Sequence, residues 1–290
     1  MKNFGLIGAA GYIAKRHVEA IKINNCNLMM MCDPNDNVGY IDKYFPNSLY
    51  FKEIERFDRQ LNRFEFENNK IDYVSICTPN YLHDSHIRLA LRNNCNVICE
   101  KPLVIKKEHI SMLQEIEKQS GKKVFSILQL RLHPVIKEMK KSLNSTTKRH
   151  FVELNYITPR GRWYDYSWKG DFDKSGGVLF NIGIHFFDML IWIFGEPISH
   201  SVELGEKSTE GHLKLEKADI KFKLSIDHND LPYDDWLPMR SLTIDKKEFN
   251  FSEGFTDLHN ESYKEIINGN GFNLEETLPA IELVEQILNK

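Results

Sequence analysis

The chain begins with a regular alternation of short apolar runs and longer stretches in which apolar residues recur at helical spacing. Short runs bounded by turn residues predict buried strands, and the longer stretches predict helices. The strands are predicted at 3–8, 28–32, 71–77, 95–99 and 122–128, and the helices at 15–23, 53–68, 81–93 and 106–120. This alternation predicts a Rossmann-like α/β domain with a doubly wound parallel sheet over residues 1–128.

After residue 128 most segments alternate apolar and polar residues. They lie at 151–157, 198–205, 211–216, 218–227, 240–245 and 248–251. Such segments predict a mostly antiparallel sheet with one covered face, and helical spacing predicts closing helices at 255–269 and 274–288. Residues 129–290 are therefore predicted to form an α+β domain for substrate binding and oligomerisation, in which the open sheet face favours a homodimer or homotetramer.

The composition narrows the class of protein. With 290 residues and 41% hydrophobic side chains, the chain can fill two cores, and a formal net charge of −3 argues against a globally basic nucleic-acid-binding protein. The five cysteines lie in the first third, mostly in apolar strands, which indicates reduced core thiols of a cytosolic protein. Cys95 and Cys99 lack a second Cys or His pair at ligand spacing, so no metal site is expected.

Two segments bear on localisation. The amino terminus starts with a strand and shows no charged region followed by an apolar core and a cleavage site, so export is not expected. The longest apolar run, 178–194, carries polar residues and is interpreted as a buried helix and not as a membrane span. We expect a cytoplasmic protein with neither a membrane nor a nucleic-acid partner.

A glycine turn joins the first strand to the first helix, in the spelling Gly-x-x-Gly-x-x-Ala. Glycines let the backbone approach a pyrophosphate, and the helix amino terminus offers unpaired N–H groups. The residues predicted to bind a dinucleotide here are Gly8, Ala10, Gly11, Tyr12 and Ile13. Because the spelling departs from G-x-G-x-x-G, a plain strand-to-helix turn remains the alternative.

Asp33 ends the second strand about twenty residues after the glycines, where a carboxylate binds the adenosine ribose hydroxyls. Its charge would repel a 2′-phosphate, so the pattern favours NAD over NADP. Asn35, in the same turn, is a further candidate for cofactor binding. A turn that caps a helix would use the same residue types, and this alternative stays open.

Glu100-Lys101-Pro102 directly follows the predicted central strand. The carboxyl end of a parallel strand is where ligands bind, and a lysine held there can lose hydration and exchange a proton near neutral pH. Lys101 is therefore a candidate catalytic residue that would also contact cofactor and substrate, and Glu100 is a candidate for cofactor binding. The alternative is an ordinary strand end with solvated side chains.

Further candidates follow other strand ends. The loop that carries Thr78, Pro79, Asn80 and His83 could line the nicotinamide half of the cofactor, as could Gln129. His83 could instead be a helix cap or a surface residue.

The predicted helix at 178–194 has three polar side chains, Asn181, His185 and Asp188, on one stripe. A buried polar group without a partner costs roughly 1–3 kcal/mol, so these groups must be paired or face a ligand. His185 is predicted to contact a substrate hydroxyl, with Asp188 fixing its tautomer. A hydrogen-bonded core network would show the same spacing.

A basic and aromatic segment covers residues 158–170. Guanidinium groups suit phosphate and aromatic faces suit a base, so the segment is typical of a nucleotide diphosphate site. A subunit interface would use the same residue types.

These motifs, in this order, resemble the glucose-fructose oxidoreductase, inositol dehydrogenase and rhizopine-catabolism (Gfo/Idh/MocA) family over essentially the whole chain. The most specific combination is Glu100-Lys101-Pro102 with the later Gly176-Gly177, His185 and Asp188. Segments 7–14, 73–83, 98–104 and 252–259 are similar to the UDP-N-acetylglucosaminuronate 3-dehydrogenase branch.

The resemblance implies oxidation by NAD of the C3 hydroxyl of a UDP-linked N-acetylated glucuronic acid to a ketone, in bacterial surface-polysaccharide (lipopolysaccharide O-antigen) synthesis. A partner aminotransferase would consume the product, and 2-oxoglutarate regenerates the cofactor in some members. By position, Lys101 and His185 match the family's catalytic pair. Substrate-binding residues are expected at Lys101, Arg131, Thr158, Arg160, Tyr164, Asn181 and His185. The family's Lys-Pro bond is often cis.

Two other functions remain compatible with the sequence. One is an NAD-dependent dehydrogenase of a free polyol, cyclitol or other sugar, for which the same catalytic pair suffices but the 158–170 segment has no purpose. The other is a regulator that binds NAD without turnover, against which the presence of both Lys101 and His185 argues.

Overall fold

The computed structural model describes residues 1–144, 148–249 and 257–289. The chain divides into two compact units, the first comprising residues 1–127 and 259–277, the second residues 128–258 and 278–290. Of the predicted elements, the end of the 248–251 strand and the start of the 255–269 helix lie outside the described residues, as does most of segment 252–259.

The first unit contains a six-stranded sheet in which all strands are parallel, in the order β3-β2-β1-β4-β5-β6. Its strands are β1 (Asn3–Ile7), β2 (Asn27–Cys32), β3 (Leu49–Phe51), β4 (Tyr73–Ile76), β5 (Asn96–Cys99) and β6 (Val124–Ser126). Its helices are α1 (Ala14–Ile23), α2 (Ile54–Phe66), α3 (His83–Arg92) and α4 (Glu108–Ser120). The predicted doubly wound fold is confirmed, and β3 is a short strand that the apolar pattern does not reveal.

The strand order reverses direction between β1 and β4, which pair through Phe4–Ile7 and Tyr73–Ile76. In doubly wound sheets the ligand crevice opens at the carboxyl ends of the strands on either side of such a reversal. The glycine turn follows β1, and the loop that contains Thr78 follows β4. Both segments predicted to bind the cofactor therefore lie at the carboxyl ends of the two strands beside the reversal.

The second unit has a six-stranded sheet in the order β12-β11-β7-β10-β9-β8. Only the β7–β10 pair is parallel within the described residues of this sheet, so the predicted mostly antiparallel sheet is confirmed. Its strands are β7 (His150–Ile157), β8 (Pro197–Leu204), β9 (Ser208–Leu215), β10 (Ala218–Ser225), β11 (Met239–Ile244) and β12 (Lys247–Phe249). Along β7 and β10 buried residues alternate with exposed ones, as a sheet covered on one face requires.

The helices of the second unit are α5 (Pro134–Asn144), two single turns, α6 (Trp163–Tyr166) and α7 (Phe172–Ser175), and α8 (Ile184–Phe194). The predicted helix at 178–194 is not α-helical throughout, because Leu179–Gly183 forms a π-helical turn before α8. By length and composition Phe172–Phe194 could span a membrane, but 78% of its most apolar window is buried inside the protein. Such burial is typical of a core helix and agrees with the sequence interpretation.

Two helices close the chain, α9 (Leu258–Ile267) and α10 (Leu274–Leu288). The sequence predicts one continuous second domain from 129 to 290, but residues 259–277 belong to the first unit. Tyr263 and Ile266 of α9 are buried in the core that also contains Phe4 and Leu6 of β1. The hydrophobic pattern reveals that α9 has an apolar face but not which core buries it.

Candidate active site

Gly8 is required by both the conformation and the packing of the glycine turn. Its φ of +86° is left-handed, and a Cβ there would lie 2.6 Å from the carbonyl carbon of Cys77 and 2.7 Å from the amide nitrogen of Thr78. Its amide donates to the Cys32 carbonyl at 2.9 Å. The turn is thus held against the ends of β2 and β4, with no room for a side chain.

Helix α1 begins immediately after this turn without a side-chain cap. Ile13 occupies the N-cap position, where its side chain makes no capping hydrogen bond, and the first turn carries no acidic residue. An uncapped helix amino terminus with its positive dipole end suits a phosphate group. Tyr12 is exposed, and Ala10, Gly11 and Ile13 are half-buried. The residues present therefore fit the pyrophosphate of a dinucleotide.

Asp33 joins the glycine turn to the end of β2. Its Oδ2 accepts from the amide of Ala10 at 2.9 Å, and its Oδ1 accepts from the amide of Asn35 at 2.8 Å. The Tyr50 hydroxyl donates to the carbonyls of Asp33 and Asn35. The carboxylate is thereby fixed beside the turn, and its remaining lone pairs suit the hydroxyls of a ribose.

The loop after β4 is connected to the Lys101 segment by a buried histidine. The two ring nitrogens of His83 lie 2.7 Å from the carbonyl oxygen of Pro102 and 2.8 Å from that of Thr78. Burial lowers the pKa of His83 although both carbonyls favour the charged form. The structure thus places His83 in the protein interior between two loops, and contact with the cofactor stays a prediction for this residue. Pro79 and the buried Asn80 lie in the same loop.

His86, one turn further along α3, was not predicted from the sequence. Its Nδ1 lies 3.0 Å from the Thr78 hydroxyl, and burial lowers its pKa to about 4. The signal available in the sequence was its three-residue spacing from His83, which places both on one helix face.

Lys101 is half-buried at the end of β5, and its bond to Pro102 is cis, which answers the question that the sequence left open. The preceding residue, Glu100, is almost fully buried. Its Oε1 accepts from His17 Nε2 at 2.8 Å and from His259 Nε2 at 3.0 Å. Burial by itself would raise the pKa of Glu100, but these hydrogen bonds outweigh it and hold the pKa well below its usual range.

The hydrogen bonds continue beyond His17. Its Nδ1 lies 2.7 Å from the Tyr263 hydroxyl, which lies 2.6 Å from the Ser75 hydroxyl. We call His17, Ser75, Glu100, His259 and Tyr263 the Glu100 network. Two imidazoles and a carboxylate are also a donor set for a divalent cation. Of these five residues, Glu100 was predicted from the sequence as a site residue, whereas Ser75 and His259 fell only within the similar segments 73–83 and 252–259.

In the second unit, Tyr164 and Asn181 contact each other. Asn181 Nδ2 lies 3.0 Å from the buried Tyr164 hydroxyl and donates to it. Lys169 belongs to the same segment, and burial together with the nearby Arg160 lowers its pKa. A cavity of about 300 Å³ is lined by both Tyr164 and Lys169 and by the glycine pair Gly176 and Gly177.

Thr158 and Arg160 follow the end of β7. Thr158 is 2% exposed, and its hydroxyl has no hydrogen-bond partner among the described residues. Arg160 is exposed and is fixed through its backbone, whose amide donates to the Ile226 carbonyl at 3.0 Å. The structure therefore provides an exposed cation two positions after a buried hydroxyl that has no partner among the described residues.

The polar stripe of the 178–194 segment is divided by burial. Asn181 and His185 are half-buried, whereas Asp188 is buried and receives two hydrogen bonds from Arg131, one of them 2.9 Å from Nε to Oδ2. The structure thus pairs Arg131, a predicted substrate ligand, with Asp188. The role of Asp188 in orienting His185, and of Arg131 in binding substrate, stay predictions.

Gln129 begins a short 3₁₀ turn, Gln129–Leu132. Its side-chain oxygen is buried and has no partner among the residues that the structure describes. A buried acceptor without a partner is costly, so this amide is suited to receive a donor from a ligand.

A doubly wound parallel sheet with a glycine turn, a fixed carboxylate and a lysine at its carboxyl edge is typical of dinucleotide-dependent oxidoreductases. Residues 2–127 match the model of the oxidoreductase family with an NAD-binding Rossmann fold, and residues 150–224 match that family's C-terminal alpha/beta domain. The chain belongs to the Gfo/Idh/MocA oxidoreductase family, and its first unit is an NAD-binding domain.

Among solved structures, the chain is similar to the WlbA (WbpB) dehydrogenase from Thermus thermophilus. In its complex with NAD and UDP-GlcNAcA the identity is 42% and the TM-score 0.94, over 98% of this chain and 94% of that one. In its complex with NAD and alpha-ketoglutarate the identity is again 42% and the TM-score 0.93, over 97% and 93% of the two chains.

Curated relatives are more distant. Glucose-6-phosphate 3-dehydrogenase of Bacillus subtilis is 26% identical over 204 residues, which cover 67% of this chain and 54% of that protein. The chain spans about half the length of the curated relatives it matches.

Proposed function

We propose that this protein oxidises the C3 hydroxyl of UDP-N-acetylglucosaminuronic acid to a ketone with NAD as oxidant. The observation that carries the proposal is the 42% identity, over nearly the whole chain, to a dehydrogenase whose structure contains NAD and UDP-GlcNAcA. The glycine turn, the Lys101 segment and the basic segment at 158–170 supply residues for each part of that reaction.

The first unit would hold the cofactor. Gly8, Gly11 and the start of α1 suit its pyrophosphate, and Asp33 suits a ribose without a 2′-phosphate. Tyr12, Asn35, Pro79, Asn80 and Gln129 remain our further candidates for cofactor contacts. When bound, NAD supplies the acceptor for the hydride that leaves C3.

His185 and Lys101 are the residues that we assign to proton transfer. Oxidation of an alcohol releases a hydride from carbon and a proton from oxygen, and the proton needs an acceptor. His185 accepts it, and Lys101 donates a hydrogen bond to the same oxygen. The products are the 3-keto sugar, NADH and one proton.

The substrate carries two phosphates and a carboxylate, so cationic and hydroxyl groups are needed to bind it. Arg160 is exposed, and Thr158 carries a buried hydroxyl without a partner among the described residues. Tyr164 and Asn181 form a pre-oriented pair. These four residues are our substrate ligands, and Arg131 is a fifth candidate whose guanidinium is already paired with Asp188.

Reoxidation of the cofactor by 2-oxoglutarate is part of the proposal. It is supported by the complex of the Thermus thermophilus dehydrogenase with NAD and alpha-ketoglutarate. The 3-keto product is the substrate that an aminotransferase requires, so we place the enzyme before an amination step of bacterial surface-polysaccharide synthesis. We further propose that the protein is cytoplasmic and forms a homo-oligomer.

The test is the absorbance of NADH when the purified protein is mixed with NAD and one of three additions. UDP-N-acetylglucosaminuronic acid is expected to give NADH, whereas inositol and buffer alone are expected to give none. If NADH is bound too tightly to accumulate, 2-oxoglutarate is added and its conversion to 2-hydroxyglutarate is measured. Turnover with inositol but not with the UDP-sugar would instead favour a polyol dehydrogenase, and binding of NAD without turnover of either would favour a regulator.

A further inference from the structure

The Glu100 network connects four distant parts of the chain at the residue that precedes Lys101. Its members come from β4, α1, the end of β5 and α9, and all five are buried. Every hydrogen bond in it can be assigned a direction. An ionised carboxylate only accepts, so both His17 and His259 donate from Nε2 to Glu100 Oε1.

The protonation of His17 sets the direction of the two remaining hydrogen bonds. Burial lowers its pKa, which favours a neutral ring whose Nδ1 is an acceptor. The Tyr263 hydroxyl then donates to His17, and the Ser75 hydroxyl donates to Tyr263. A chain of hydrogen bonds therefore runs from Ser75 through Tyr263 and His17 to the carboxylate of Glu100. His259 donates separately to the same carboxylate oxygen.

The second carboxylate oxygen connects the network to the lysine. Glu100 Oε2 lies 3.3 Å from the amide nitrogen of Lys101. On the other side of Lys101, the Pro102 carbonyl lies 2.7 Å from a ring nitrogen of His83. The backbone is thus held immediately before and immediately after Lys101 by groups with little or no contact with solvent.

From this arrangement we infer that His17, His259 and Tyr263 are positioning residues for the dehydrogenation, which act through Glu100 on the backbone of Lys101. The inference deepens the proposed function, because it rests on Lys101 being at the reaction centre. It also gives His259 a role, since its imidazole fixes the Glu-Lys-Pro segment 159 positions earlier in the chain. A small displacement of a catalytic group can cost about a hundredfold in rate, so such buried support matters for turnover.

The test compares His259→Leu with His259→Gln. Glutamine retains an N–H donor for Glu100, whereas leucine does not. We expect kcat to fall about tenfold or more in His259→Leu and less than about threefold in His259→Gln, with the KM of the UDP-sugar changed less than about threefold in both. The matched control is His150→Leu. His150 is another buried histidine, and its Nδ1 lies 2.9 Å from Oδ2 of the Asp245 carboxylate, so this variant also removes an imidazole–carboxylate contact. Its kcat is expected to be unchanged.

A double-mutant cycle distinguishes positioning from general loss of structure. In single-turnover hydride transfer with the Lys101→Ala protein, adding His259→Leu is expected to have no further effect, because the residue through which it acts is gone. An equal loss in both backgrounds would overturn the inference, as would equal activity of the leucine and glutamine variants.

A second readout does not depend on activity. Hydrogen exchange of the peptide that contains residues 99–104 is expected to be faster in His259→Leu than in His259→Gln, with β2 unchanged as an internal control. If wild-type protein does not oxidise the UDP-sugar but this exchange pattern is found, the proposed function fails while the link to Lys101 stands. An unchanged pattern, or stoichiometric zinc in the purified protein, would overturn the network as described.

Discussion

Tyr164 and Asn181, 17 positions apart, are joined by a hydrogen bond of 3.0 Å in which the amide donates to the phenol oxygen. Asn181 lies on the π-helical turn that precedes α8, and Tyr164 lies in the single helical turn α6. π-Helical turns are frequent at functional sites, because they shift side chains out of the regular helical register. Two predicted substrate ligands therefore hold each other before any substrate binds.

Tyr164→Phe is expected to loosen Asn181 and raise the KM for the UDP-sugar about fivefold to tenfold, since one hydrogen bond contributes about 1 kcal/mol. Steady-state kinetics measures the effect. Tyr233→Phe is the control, because Tyr233 is 74% exposed and lies outside the segments assigned to cofactor and substrate, so its change is expected to leave the KM unaltered. Equal KM values for the Tyr164→Phe and wild-type proteins would remove this pair from substrate binding.

Lys101→Ala and His185→Asn test the assignment of proton transfer. Each is expected to lower kcat about 10²-fold to 10⁴-fold, the range for loss of a general acid or base. NAD binding, measured by fluorescence, should persist in His185→Asn, because His185 is not among the residues that we assign to the cofactor. A near-normal kcat in either variant would exclude that residue from the chemistry.

Gly8→Ala is expected to abolish measurable NAD binding and to destabilise the protein. The new Cβ would meet backbone atoms at 2.6–2.7 Å in a left-handed conformation that only glycine adopts readily. Gly39→Ala is the matched control, since no atom lies within 4 Å of a Cβ there. Titration with NAD and thermal unfolding of both variants provide the comparison, and retained NAD affinity in Gly8→Ala would contradict the role of the turn.

Asp33→Asn tests the choice of cofactor. It removes the charge that repels a 2′-phosphate but keeps one oxygen as an acceptor for a backbone amide. We expect the ratio of kcat/KM for NADP to that for NAD to rise about tenfold, which corresponds to about 1.4 kcal/mol. An unchanged ratio would mean that other groups exclude NADP.

His86 should make the stability of the protein depend on pH. Burial lowers its pKa from 6.5 to about 4, so the unfolded chain binds more protons than the folded one between these values. The contribution of His86 to the free energy of unfolding should therefore be retained above pH 6.5 and lost as the pH falls from 6.5 towards 4. The loss from this residue is at most roughly 3 kcal/mol. Urea unfolding at several pH values should show a smaller slope for His86→Asn than for wild type, and parallel slopes would contradict this assignment.

Much of the fold and several site elements followed from local sequence patterns. The alternation of strands and helices, the glycine turn after β1 and the position of Lys101 after β5 were all predictable, because each depends on residues within one or two elements. Hydrophobic periodicity and turn chemistry act over such short distances. The same reasoning could not show which core would bury α9, since an apolar helix face packs equally well against many surfaces.

From the sequence alone, an NAD-dependent oxidoreductase of two domains was predicted, with Lys101 and His185 as candidate catalytic residues. Which buried polar side chains pair with one another depends on the tertiary structure. His17 and Tyr263 are 246 positions apart and Arg131 and Asp188 are 57 apart, yet each pair is in hydrogen-bond contact in the interior. Buried polar groups must find partners wherever the folded chain places a complementary group, and that choice depends on the path of the whole backbone.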